Sequence, residues 1–350
     1  MTIITTVAID LAKNVFQVRG MNHAWKATYN RKVRREELME VILSFPKNAR
    51  IVMEACGTSN YWGRRFEEAG YKANLIPAQY VKPYVKSQKN DVADAEAIGE
   101  AASRPNMRFL PIKPIEQQDI QSIHRVRERY VTGRTALMNE LRGLLLEYGF
   151  IIPKGRAALG KLVPLALESE SVTEVMRSLT RELYQELIEL EERIDKITKQ
   201  LEAFANSNDK CKRIMTIPGI AEITATAIYA LVGHMNFKNG RELAAFLGLV
   251  PRQSSSGGKE KLGHITKHGD KYVRKLLVHG GRSVLRNAHR HDDRYNSWAK
   301  MIRDKKGYSK GSVAVANRNA RAVWAIMSSD VSFDCNFDPK TKAQHSTMVH

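Results

Sequence analysis

The sequence predicts an α/β domain with a mixed sheet, followed by a mainly helical remainder. Three observations carry that prediction. Near the start, the β-branched apolar run IITTVAID closes on Asp10, and the run ARIVMEA delivers Glu54. Further on, apolar residues recur at spacings of three and four over long charged stretches. After Asn206 the composition shifts again, to short apolar segments punctuated by Pro and Gly.

The elements follow in order. Residues Ile3 to Asp10 are almost wholly apolar, as a strand buried on both faces should be, so this strand is expected at the sheet centre. LAKNVFQVRG and HAWKATYNR alternate more loosely and are short enough to return as two antiparallel strands. Arg34 to Phe45 has helical spacing. Ala49 to Ala55 reads as a second buried strand, and Gly57 and Thr58 start a helix reaching roughly to Ala69. YKANLIP is one more strand. NDVADAEAIGEAAS is helical, and a separation of three sets Asp91 and Asp94 on one face.

Carboxylates that end buried strands are costly to hold together unless a cation neutralises them, and hard cations take oxygen ligands. Asp10, Glu54, Asp91 and Asp94 are therefore read as ligands of Mg²⁺, one or two ions, with Mn²⁺ as a substitute. Taken singly, an Asp after a strand often caps a helix, and two aspartates on a helix often form a solvated face. The ordered set of four points to a metal site for phosphate chemistry. Strand order and acid placement together resemble the RuvC-like branch of the RNase-H fold.

The middle of the chain reads as two long helices. Leu183, Leu187, Leu190, Ile194, Ile197 and Leu201 form a heptad seam with a charged exterior. From about Glu116 to Tyr148, residues Ile123, Tyr130, Leu137, Leu141, Leu144 and Tyr148 form a second stripe, and Pro153, Gly155, Gly160 and Pro164 interrupt the chain between the two. Such helices pair within one chain or between chains. The narrow seam favours self-association as a coiled coil.

In KRIMTIPGIAEITATAIYALVG, residues Ile217 to Ile220 make a tight turn between helices, similar to the helix-hairpin-helix element that offers backbone amides to a DNA phosphate. The segment GLVPRQSSSGGKEKLGHITKHGDKYVRKLL follows. Pro251 ends a helix, three serines and two glycines make an exposed turn, and Arg252, Lys259, Lys261, Lys267, Arg274 and Lys275 surround it with charge suited to phosphates. From composition alone SSSGG reads as a polar linker. His264 with His268, and the cluster His289, His291, Asp292 and Asp293, lack a third ligand at a clear spacing and read as solvated. Arg318 and Arg321 lie on a late basic helix and are candidates to face nucleic acid. Beyond Ser332 the chain is polar and aperiodic, and disorder is expected.

Four segments, VAIDLAKNVFQV, MEACGTSNYWGRRFEEAGY, PAQYVKPYVKSQKNDVADAEAI and AAFLGLVPRQSSSGGKEKLGHITKHGD, resemble in sequence and order the transposases of the bacterial insertion-sequence family IS110, nearest its IS1111 subgroup. The resemblance covers about residues 3 to 330. It implies that a DEDD acid set and a serine from a separate C-terminal domain form one active site, and that a structured bridge RNA from the element pairs with donor and target DNA. By motif the acids are Asp10, Glu54, Asp91 and Asp94, and the serine is Ser256, with Ser254 and Ser255 as alternatives. It also implies a homodimer or homotetramer. The expected domains are 1–115 (RuvC-like), 116–205 (coiled-coil helices) and 206–330 (C-terminal, with the serine loop), then the tail.

Composition agrees with a nucleic-acid partner. Lys and Arg number 56 against 37 acidic residues, a formal charge of +19, so phosphate backbones should be attracted in a salt-dependent way. Cys56, Cys211 and Cys335 are too few and scattered for a disulfide framework or zinc site. No signal peptide or membrane-spanning run is read, which makes the cytoplasm the expected location and excludes a membrane partner. Two rival readings are a RuvC-type junction nuclease, which would need only the acids and water, and a non-catalytic nucleic-acid-binding protein, which gives no reason for four converging acids.

Overall fold

The computed structural model describes residues 3–85, 91–254, 261–329 and 331–337. The chain forms two compact units, Met1–Gln118 with His234–Asn236, and Asp119–Gly233 with Phe237–His350.

The first unit is built on five strands, β1 (Ile4–Asp10), β2 (Val15–Asn22), β3 (Ala27–Arg34), β4 (Arg50–Glu54) and β5 (Lys72–Ile76). Their order across the sheet is β3-β2-β1-β4-β5. β2 runs antiparallel to both β1 and β3, whereas β1 with β4 and β4 with β5 are parallel. The apolar first run is the central strand, as its composition predicts. Helices α1 (Leu38–Leu43), α2 (Ser59–Glu68), the short α3 (Ala78–Val81) and α4 (Asp91–Ser103) complete the unit.

Strand alternation divides the core. Val7, Ile9, Ile51 and Met53 pack with Leu38, Ile42, Trp62 and Phe66 of α1 and α2. On the opposite face, Ala8, Val52 and Ile76 pack with Ala97, Ile98, Ala101 and Ala102 of α4. Small residues let α4 lie close to the sheet: a Cβ on Gly99 would come within 2.8 Å of Met21 Sδ.

The remainder is helical. It comprises α5 (Ile115–Leu146), α6 (Arg156–Glu168), α7 (Glu174–Ser207), α8 (Asp209–Met215), α9 (Glu222–Val232), α10 (Gly240–Phe246), α11 (Lys271–Asn287) and α12 (Arg294–Ser328). Helix α12 is broken at Gly307, whose φ of 77° needs glycine's freedom. A two-stranded ribbon, β6 (Pro251–Gln253) with β7 (Leu262–Ile265), stands between α10 and α11. No described helix is long and apolar enough to cross a membrane.

Five local expectations meet the structure here. Gly160 and Pro164 lie inside α6 and do not interrupt the chain. The seam of α7 expected to join chains is covered within one. Leu187 packs with Leu137, Leu141 and Leu145 of α5 and Leu159 and Val163 of α6, and Leu201 packs with Ile120 and Ala230. The α5 stripe drifts from Leu144 to Leu145, as an apolar stripe does on a straight helix of 3.6 residues per turn. The turn expected at Ile217–Ile220 forms between α8 and α9, with protein on one side: Gly219 abuts Gly280 of α11, Pro218 O accepts from Asn319 Nδ2 at 2.9 Å, and Ile220 N–H donates to Ile217 O. Residues 333–337, expected to be disordered, are docked. Phe333 and Cys335 pack beside Tyr295, and Cys335 O accepts from Tyr295 N–H at 3.0 Å.

Candidate catalytic site

Parallel pairing of β1 with β4 sets Ile9 beside Met53, so the next residues, Asp10 and Glu54, end neighbouring central strands. Alternation then decides which face they serve. Asp10 shares the face of Ala8, and Glu54 that of Val52, the face covered by α4. The first turn of α4 supplies Asp91 and Asp94. Four carboxylates from three elements thus gather at one end of the sheet.

Their mutual repulsion is legible in Asp10. Its pKa is pushed up to about 6, first by burial and then by the negative charges of Asp94, Asp91 and Glu54, against a backbone hydrogen bond from Leu11. Cations lie close by: Lys32 on β3 pairs with Asp91 at 3.1 Å, and Arg19 on β2 approaches Glu96 at 3.8 Å. Among the described residues no three His, Cys, Asp or Glu side chains form a ready-made cation cage. The donor set nevertheless fits a hard divalent ion. All four are carboxylates, and the burial and like charges that oppose ionisation of Asp10 are what such an ion would offset. Lys32 was not foreseen, because only β3 pairing onto β2 brings it to Asp91.

The serine segment belongs to the second unit. Ser256, its neighbour Ser255 and Lys259 lie outside the described residues. The two ends of their loop are held by the ribbon, where Gln253 is paired with Leu262 and Ser254 N–H donates to Lys261 O at 2.9 Å. This ribbon is absent from the sequence reading. Its strands are three and four residues long and almost fully exposed, so they carry no alternation of burial to detect. Its foot is a tight backbone clamp. A Cβ on Gly248 would meet His268 O at 2.1 Å, one on Gly269 would meet Phe246 O at 2.0 Å, and both glycines have positive φ.

The expected phosphate ligands divide into two groups. Arg252, Lys261 and Lys267 are exposed. Arg274 instead donates to Leu247 O at 3.1 Å and His268 O at 2.8 Å, bracing the clamp, and Lys275 pairs with Glu128. Neither engagement has a signal in local sequence, since the partners lie up to 147 residues away.

A mixed sheet in this order, with acids ending its two central parallel strands and others on the helix across them, has the architecture of a RuvC-like DEDD domain, the nucleic-acid-processing class. Comparison with known proteins agrees. The family model for DEDD transposases of the IS110 type, described as Transposase, matches residues 7–150. A second, described as Transposase IS116/IS110/IS902 family, matches residues 211–296. The chain is 43% identical over 335 residues to the transposase for insertion sequence element IS1111A of Coxiella burnetii, covering 95% of this chain and 92% of that protein. It is 42% identical to a probable family 20 transposase of Pseudomonas aeruginosa, covering 94% and 98%. It is 34% identical to the transposase for insertion sequence element IS1328 of Yersinia enterocolitica, again covering 94% and 98%. The chain belongs to the IS110/IS116 family of insertion-sequence transposases. DNA is the substrate class, and the DEDD domain implies a divalent metal.

Proposed function

We propose that this transposase cleaves and rejoins DNA through Ser256, with Asp10, Glu54, Asp91 and Asp94 holding Mg²⁺. Ser256 Oγ attacks the scissile phosphorus, forming a phosphoserine bond as one phosphorus–oxygen bond to a DNA sugar breaks. The proton leaving Ser256 passes by way of the carboxylates to the departing sugar oxygen, so charge and atoms balance. Reversal of this step on a second DNA end rejoins the strand. The bound ion supplies Lewis-acid stabilisation of the charge that develops on the phosphate. The exposed Arg252, Lys261 and Lys267, with Lys259, hold the DNA backbone near the serine.

A structured bridge RNA from the element pairs with donor and target DNA, and a homodimer or homotetramer in the cytoplasm brings the two duplexes together. The formal charge of +19 supports a chain that carries both nucleic acids. One observation carries the metal part of the proposal: Asp10 and Glu54 end paired parallel strands, and Asp91 and Asp94 on α4 lie near enough to Asp10 to add, after burial, to the rise in its pKa.

Incubation with element junction DNA, bridge RNA and Mg²⁺, followed by denaturing electrophoresis, tests the serine. The native chain should yield a covalent protein–DNA adduct. Ser256→Ala should bind DNA and yield none. Cleavage without any adduct in the native chain would favour the junction-nuclease reading, in which the acids and water suffice.

A further inference from the structure

The second unit carries a cleft of about 930 Å³ between the latter part of α12, the foot of the ribbon and residues 331–337. The chemistry proposed above does not use it. Its walls are largely aliphatic, with Trp298 and Phe333 along them and Phe337, 50% exposed, among its lining residues. Into this apolar space the chain places Lys310, Arg318 and Arg321, with Asp334 the one carboxylate among the described lining residues.

Arg318 is the informative residue. Its guanidinium lies 4.4 Å from the Trp298 ring centroid and 4.9 Å from that of Tyr295, and it pairs with no carboxylate among the described residues. Burial first, then the nearby charges of Arg294 and Arg321, lower its pKa against the opposing effect of Tyr295, so the charged guanidinium is held here at a cost that an anion would offset. Arg321 also lines an adjoining cavity of about 440 Å³ that contains Arg241. A fixed guanidinium on an aromatic face, with a second arginine beside it, suits a phosphate joined to a flat, stackable group. The volume lies within the roughly 300–1,000 Å³ of pockets that enclose small ligands, a scale that excludes a duplex.

We propose that this cleft receives an unpaired nucleotide, with its base beside Trp298 and Phe333 and its phosphate at Arg318 and Arg321. Pro251 and Ile265, paired across the ribbon foot, form part of the wall. A nucleotide held here is therefore anchored at the base of the ribbon whose strands flank Ser256 in sequence. Strand exchange exposes such unpaired nucleotides, and stacking with charge-assisted contacts is how proteins hold them. The inference rests on the nucleic-acid reading above.

Fluorescence anisotropy of the full chain tests it, using labelled oligothymidine, oligouridine and a blunt DNA duplex of equal length. Arg321 and Ala325 are exposed, so Arg321→Ala and Ala325→Trp should keep the native melting temperature. The first removes charge, and the second fills the cleft while leaving every charge in place. Each should weaken single-strand binding about ten-fold and leave duplex binding within about two-fold. Whichever single strand shows the larger loss identifies the source as DNA or RNA. Unchanged single-strand binding in Ala325→Trp, or equal loss of duplex and single strand in both variants, overturns the proposal. Failure of the native chain to bind any of the three probes would overturn the nucleic-acid reading as well.

Discussion

Asp10 is where the chemistry of the acid set is most exposed to measurement. Its ionisation is opposed by burial and three like charges, which at neutral pH costs on the order of 2 kcal/mol in the metal-free protein once solvent screening of this half-buried group is discounted. Asp10→Asn removes that cost together with a proposed metal ligand. The variant should melt at or above the temperature of the native chain in a chelator, whereas the native chain should gain stability on adding Mg²⁺ and the variant should not. Thermal denaturation with and without Mg²⁺ checks this. An equal gain in both proteins would remove Asp10 from the ligand set.

At the scale of elements, the site depends on how closely α4 lies on the sheet. A single Cβ at Gly99 would press on Met21 Sδ at 2.8 Å and Met21 Cε at 3.0 Å, with Ala8 Cβ at 3.7 Å behind them. The end of a methionine side chain can swing aside, so Gly99→Ala should be tolerated. Gly99→Leu cannot be accommodated that way. It should lift α4, cost about 1–3 kcal/mol in urea denaturation, and separate Asp91 and Asp94 from Asp10 enough to slow cleavage. Full cleavage activity in Gly99→Leu would mean that helix placement does not control the site. The α7 seam teaches a related lesson: its heptad spacing is real, but the partners that bury Leu187 and Leu201 come from the same chain.

For the molecule as a whole, one buried polar contact ties together segments that are remote in sequence. His124 on α5 reaches Thr226 on α9 at 3.0 Å and Tyr272 on α11 at 3.1 Å. The Thr226 hydroxyl donates to Glu222 O, so it accepts from His124 Nε2–H, and Nδ1 accepts from Tyr272 O–H. Burial, then the charge of Arg127, holds the His124 pKa down to about 4. The unfolded chain therefore binds more protons between about 4 and 6.5. This contribution, roughly 3 kcal/mol, is complete above 6.5 and is lost as pH falls toward 4. Asp10, held up to about 6, acts in the opposite sense over part of that window. His124→Asn should flatten the acid-side loss of stability, measured by denaturant unfolding between neutral pH and pH about 4.5. An unchanged pH slope would show that the histidine is not held neutral.

Much of the first unit was legible from residue order. The β-branched runs predicted β1 and β4, the three-residue spacing predicted one face of α4 for Asp91 and Asp94, and the excess of Lys and Arg pointed to nucleic acid. These features rest on local steric preference, periodicity and net charge, which are properties of the chain itself. Other features depend on partners distant in sequence. Lys32 beside Asp91, Arg274 bracing the ribbon foot, Lys275 taken up by Glu128, the α7 seam closed within one chain and the arginine-lined cleft beside Trp298 were all decided by packing. The physical reason is that a side chain's contacts are set by whichever surface folding brings against it, and no local pattern records that surface.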